Sequence, residues 1–158
     1  MTHEDLALHT SDIGEPISLD YHGWTIWETP PNSQGITTLI ALGILRALEE
    51  EHGLDLSKME HNSAEYLHLL IEALRIAFAE SASHVTDPQM QSVPVEKLLS
   101  KHYLSERAKL INPQKRNDKI KNGYPAQHSN TVYFCVVDKD GNACSFIVSS
   151  KRKKKGDL

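Results

Sequence analysis

Cysteine is almost absent from this chain: only Cys135 and Cys144 occur in 158 residues. Two thiols are too few for a disulfide framework and cannot complete a four-ligand zinc spacing, so both read as small core residues. Long apolar runs are missing too. No stretch reaches the roughly 18 apolar residues expected of a membrane helix, and Met1 is followed by THEDLALHTSD, without the charged and apolar regions of a signal peptide. No charge of one sign dominates. The net charge of -4 is modest and the signs are interleaved, which excludes a broad nucleic-acid or membrane surface. The exception is KRKKK at 151–155, a local run with the composition of a nuclear-localisation or polyanion patch and equally that of a solvated tail. None of the nine histidines forms an HxxxH pair beside a carboxylate, so no metal and no cofactor is expected, and His68 reads as a satisfied core or edge histidine.

What is present organises a single soluble domain with one real core. Residues 4–22 lack a firm period and contain Pro16, which predicts a short helix followed by irregular chain. WTIWE, Trp24 to Glu28, is a strand bounded by Gly23 and Pro30-Pro31, and a turn follows at PPNSQG. Ile36, Leu39, Ile40, Ile44, Leu45 and Leu48 recur at helical spacing and predict a helix to Glu51, stopped by Gly53. A second helix is expected to begin with Asn62 as N-cap and Glu65 completing a capping box. Its apolar width from Leu67 to Phe78 predicts burial on most sides and the central place in the fold. Pro94 opens another helical turn, and a helix over His102 to Ile111 ends at Asn112-Pro113. Residues 112–130 are polar, contain two prolines and a glycine, and read as a linker or long exposed loop.

The last ordered unit is a hairpin, TVYFCVV and ACSFIVS around the turn DKDGN. Asp138, Asp140 and Asn142 alternate as calcium ligands do, but the rest of such a loop is absent, so a turn is the better reading. If Val137 pairs with Ala143, Thr131 lies opposite Ser149 on one face of the sheet, and Cys135 faces Ser145 while Cys144 faces Val136. Thr131 then stands where a polar linker meets the first residue of a strand. A chain cut at Asn130-Thr131 would give one residue both a hydroxyl nucleophile and an α-amine, whose ordinary pKa of about 7.7 to 8.0 suits a general base. The plainer alternative is a β-branched residue that merely opens a strand, with Ser149 and Ser150 solvated at its end.

The linear pattern of HTSDIGEPISLDYHGWTIWETPPNSQGITTL, LHLLIEALRIAFAESASHVTDPQM, VPVEKLLSKHYLSERAKLI and TVYFCVVDKDGNACSF resembles the gamma-glutamyltransferase (gamma-glutamyltranspeptidase) family. The resemblance implies an α+β, partial N-terminal-nucleophile hydrolase fold, with helices packed on antiparallel sheet and a C-terminal β-hairpin. It implies a precursor that cuts itself between Asn130 and Thr131, Thr131 becoming the nucleophile toward γ-glutamyl amides such as glutathione and Ser149 its supporting hydroxyl. Water, amino acids or peptides would accept the glutamyl group. On this scheme 1–111 is the C-terminal part of the large-subunit region, 112–130 the processing linker, 131–150 the start of the small subunit and 151–158 a basic tail foreign to the family. Large and small subunits pair in the complete enzyme. Thr131-Val132-Tyr133 replaces the Thr-Thr-His of conventional members, which keeps the nucleophile and leaves the preferred donor open. Lys151 stands where the family has an asparagine that holds the substrate's α-amino end. The family's glutamyl-binding arginine and oxyanion glycines match no residue here, so the chain is expected to be a slice truncated at both ends, with an incomplete active site. A catalytically inactive fragment that acts only by binding a partner is the competing expectation.

Overall fold

The computed structural model describes residues 2–11, 13–120 and 130–150. The chain divides into two compact units, Met1–Tyr124 and Pro125–Leu158.

In the first unit a capped turn, α1 (His3–Ala7), precedes β1 (Ile17–Tyr21) and β2 (Trp24–Glu28), which pair antiparallel with Tyr21 opposite Trp24. His22 and Gly23 form the connection, and both have positive φ, 50° and 80°, as the mirror-image hairpin turn demands. The irregular chain expected before Trp24 is thus a strand over its last part. Pro16 excludes a helix but not an extended segment, and the tight turn then folds ISLDY onto WTIWE.

α2 (Gly35–His52) is the central helix, a place the sequence pattern assigned to the next one. Ile36, Leu39, Ile40 and Ile44 are wholly buried, and α2 packs against β1, α3 (Ala64–His84) and α5 (Lys101–Ala108). Gly43 makes that possible: a Cβ there would stand 2.5 Å from Leu104 Cδ1 and 3.1 Å from Leu19 Cδ1. The helix stops at Gly53, left-handed at φ 66°, whose N–H donates to the Leu48 carbonyl.

The N-cap of α3 is Ser63, not Asn62. The Ser63 hydroxyl accepts from the Tyr66 N–H at 3.2 Å, whereas Asn62 takes the left-handed turn at φ 61° that aims the chain into the helix. Nor is α3 covered on most sides. Leu69, Ala73, Ile76 and Ala77 are buried, but Leu67, Ile71, Leu74 and Phe78 form an exposed apolar stripe, with Ile71 54% and Phe78 52% accessible. Apolar width in a sequence reports how much surface a helix can bury, not how many neighbours it has, and within this unit the helix core lies on one side of α3.

After α4 (Val95–Leu98), which follows Pro94, helix α5 is capped by the Ser100 hydroxyl and ends at Ala108, three residues before the expected Ile111. Ile111 is nonetheless buried. Residues 112–116, 118 and 119 are exposed, as expected of this segment, but Asn112 bridges to Lys115, and Ile120 enters the core. The rest of the expected processing linker, 121–129, and the basic tail, 151–158, lie outside the described residues.

The second unit is a hairpin of β3 (Asn130–Val137) and β4 (Ala143–Ser150). Its cysteines are free and exposed rather than core residues, since a two-stranded sheet has no second layer of its own to bury them. Helices packed with small antiparallel sheets make the architecture α+β.

Candidate active site

The turn Asp138–Asn142 sets the geometry of the hairpin. One Asp138 carboxylate oxygen accepts the N–H groups of Asp140 and Asn142, each at 2.9 Å, and the other accepts Asn142 Nδ2 at 2.9 Å. The Asn142 amide, seconded by these backbone donors, holds the Asp138 carboxyl below its usual range. Gly141 supplies the left-handed residue, φ 83°, and the Asp138 N–H closes onto the Asn142 carbonyl at 3.0 Å. A carboxylate saturated by its own loop is a turn organiser, as the sequence suggested.

From that turn the ladder runs back with Val137 opposite Ala143, Cys135 opposite Ser145 and Val136 opposite Cys144. At its far end Thr131 is the cross-strand partner of Ser149, and Asn130 that of Ser150. The three residues singled out in the sequence therefore fall together at one end of a two-stranded ladder, with Asn130–Thr131 at the point where the strand begins.

Upstream, the segment 112–120 is fastened to α3 by residues that the sequence reading missed. Glu72 is 2% exposed and accepts from Arg75 Nη1 through Oε1 and from the Asn117 N–H through Oε2 at 3.0 Å. Arg75 Nη2 donates to the Asn117 carbonyl at 3.1 Å. The Asn117 side chain donates to the Leu110 carbonyl at 2.8 Å and accepts from the Lys119 N–H at 2.9 Å. His68, at the edge of α3, pairs through Nε2 with the Asn112 carbonyl at 2.9 Å. The available signal was a Glu and an Arg three apart within a run of apolar helix positions.

A separate depression of about 840 Å³ lies between the β1–β2 turn and the C-terminal part of α2. Several of its charged groups are held by ion pairs or hydrogen bonds. Glu49 holds His22 Nε2 at 3.0 Å and the Tyr21 hydroxyl at 3.4 Å, and burial followed by the Glu49 charge pushes the Tyr21 phenol up to about 12. Asp55 is held at about 2 by hydrogen bonding to Ser57 and then Lys58. This is a stapled surface, not a reactive one. Among the described residues no cluster of three or more His, Cys, Asp or Glu could hold a metal ion, and no helix is long and apolar enough to cross a membrane.

The α+β arrangement of helices and small antiparallel sheets is that of part of an N-terminal-nucleophile hydrolase. A gamma-glutamyltranspeptidase from Pseudomonas nitroreducens, solved with L-DON bound, superposes with a TM-score of 0.66 at 33% identity, over 78% of this chain and 36% of that one. The gamma-glutamyltranspeptidase family model matches residues 1–153, and the chain belongs to that family. A glutathione hydrolase-like YwrD proenzyme of Bacillus subtilis is 38% identical over 94% of the chain, and a glutathione hydrolase proenzyme of Pseudomonas aeruginosa is 37% identical over 92%. The chain spans about a quarter of these relatives' length, 26% of each.

Proposed function

We propose that these residues form the part of a gamma-glutamyltranspeptidase-type proenzyme that spans its processing junction, and that Thr131 is the nucleophile released there. The pairing of Thr131 with Ser149, at a strand start preceded by a polar segment, carries the reading. Both relatives described above are proenzymes of glutathione hydrolase type, which agrees with it.

Self-cleavage follows from the position of Thr131. Its hydroxyl adds to the Asn130 carbonyl carbon, the Asn130–Thr131 C–N bond breaks, and the Thr131 nitrogen takes up the proton, leaving an ester. Water then hydrolyses the ester to an Asn130 carboxylate, the free hydroxyl and a new α-amine. That amine, with an ordinary pKa of about 7.7 to 8.0, accepts the hydroxyl proton near neutral pH as the oxygen attacks a γ-glutamyl amide. The amine of the donor departs with the proton returned by the α-ammonium, and the glutamyl ester passes to water, an amino acid or a peptide. Ser149 serves as the hydrogen-bonding support of the nucleophile. The chain up to Asn130 and residues 131–150 are then pieces of a large and a small subunit that stay paired in the whole protein.

The test is an intact-mass spectrum of the purified chain beside its Thr131→Ala variant. The wild type splits between Asn130 and Thr131 and the variant stays whole. A wild type that stays whole, or a variant that splits at the same bond, removes Thr131 from this role.

A further inference from the structure

We propose that the depression between the first turns of α3 and the segment following α5 is a binding site for a small organic amine, an ammonium group on a compact apolar body. The site lies wholly within the first unit and does not depend on the reading of Thr131. Its volume, about 480 Å³, falls in the range of about 300–1,000 Å³ that small-molecule sites occupy. Three stretches of chain supply its apolar lining: Leu54 and Met59 from the connection between α2 and α3, Leu69 from α3, and Pro113 from the segment after α5. Leu69 is buried, and Leu54 and Met59 are half-buried against the core, so this lining is a fixed part of the packing.

The wall that carries Pro113 is held by Asn112. Its carbonyl accepts from His68 Nε2 at 2.9 Å and from the Lys115 N–H at 3.3 Å, and its side chain accepts from the Gln114 N–H at 2.9 Å. Because a carbonyl only accepts, Nε2 of the neutral imidazole carries the proton and Nδ1 is left as an acceptor. Glu65 stands three residues before His68, on the same side of the helix, and also lines the depression. Its carboxylate is exposed and, among the described residues, has no hydrogen-bond or ion-pair partner, unlike the buried carboxylates of Glu72 and Glu80. The depression therefore offers two acceptors beside an apolar lining, one of them anionic. A ligand that matches must bring N–H donors and positive charge to that edge, which an ammonium group does, whereas a carboxylate or phosphate of the same size meets repulsion.

The test titrates the chain with benzylamine, its neutral isostere benzyl alcohol and the anion benzoate, and follows the methyl resonances of Leu54, Met59 and Leu69 by NMR. Benzylamine shifts these methyls saturably, with a dissociation constant on the order of millimolar. Benzyl alcohol binds about fivefold more weakly, and benzoate leaves the methyls unmoved over the same range. Glu65→Gln, an isosteric change at an exposed position, brings benzylamine down to the level of the alcohol and leaves the alcohol's own affinity unchanged. A titration without saturable shifts at these methyls overturns the site. Equal binding of amine and alcohol, binding of benzoate, or an undiminished amine affinity in Glu65→Gln overturns the ammonium assignment and the proposal with it. Shifts confined to Leu67, Ile71 and Leu74 place the amine on the exposed stripe of α3 instead, and overturn it as well.

Discussion

Glu80 illustrates what single residues do in this molecule. It is 5% exposed on α3 and gathers the Tyr103 hydroxyl at 2.6 Å, Arg107 Nη2, and His84 Nε2 at 3.6 Å. Removing Glu80 leaves the part-buried Arg107 without its carboxylate and the Tyr103 hydroxyl without its acceptor, which costs about 1–3 kcal/mol. Glu80→Ala should therefore lower the unfolding free energy measured by urea titration by that amount, while Glu80→Leu/Arg107→Leu recovers most of the loss. The phenol of Tyr103 gives a second readout. Burial, then its bond to Glu80, pushes it up to about 12. Its folded value lies above its unfolded one, so its contribution to stability is complete below the ordinary tyrosine value and disappears as pH rises through about 12. Phenolate absorbance should show a late-ionising group that moves back toward the ordinary range in Glu80→Ala. An unmoved group would mean that burial alone sets it. At this scale the pairing of Thr131 with Ser149 was legible, because the turn residues Asp138–Asn142 fix a register that can be counted along two strands. Glu72, Glu80 and Asn117 were not, because whether a helical carboxylate is buried depends on a segment dozens of residues away.

Elements were legible where one local signal sufficed. α2 ends at Gly53 because only a residue free of Cβ strain takes that left-handed turn cheaply, and the break in apolar spacing says so. β1 escaped notice because its evidence is its partner: ISLDY alone is unremarkable, and the hairpin becomes visible only when His22-Gly23 is taken as a tight turn. The β3–β4 turn makes a pH prediction at the same scale. Asp138 is held below its ordinary carboxyl value in the folded hairpin, so its stabilisation is present above the unfolded value and is lost as pH falls through the folded one. In an NMR titration the Asn142 side-chain amide resonances should stay constant at neutral pH and shift to free-amide positions at a pH below the ordinary carboxyl range. Asp138→Ala should show the acid-state resonances at all pH values. Resonances that do not respond to either change would mean that Gly141 and the backbone closure alone hold the turn.

At the scale of the whole molecule the informative feature is the stripe Leu67, Ile71, Leu74 and Phe78 on α3. A soluble monomer rarely leaves so long an apolar row open, and such rows mark faces made to be covered. The opposite face of the same helix is completely packed against the core, so the stripe is not a sign of a loosened fold. It belongs to a chain that spans 26% of its relatives' length. The native chain should therefore bind an apolar dye such as ANS while keeping the cooperative unfolding that a molten state lacks. Ile71→Lys/Phe78→Lys should reduce that fluorescence severalfold. Because both side chains are about half exposed and contribute little to the core, the unfolding free energy should change by no more than about 0.5 kcal/mol. Dye binding that survives the double substitution would place the exposed apolar surface elsewhere. A large fall in stability would mean that the stripe is part of the packed core after all, and that α3 is buried on the sides its sequence pattern suggested.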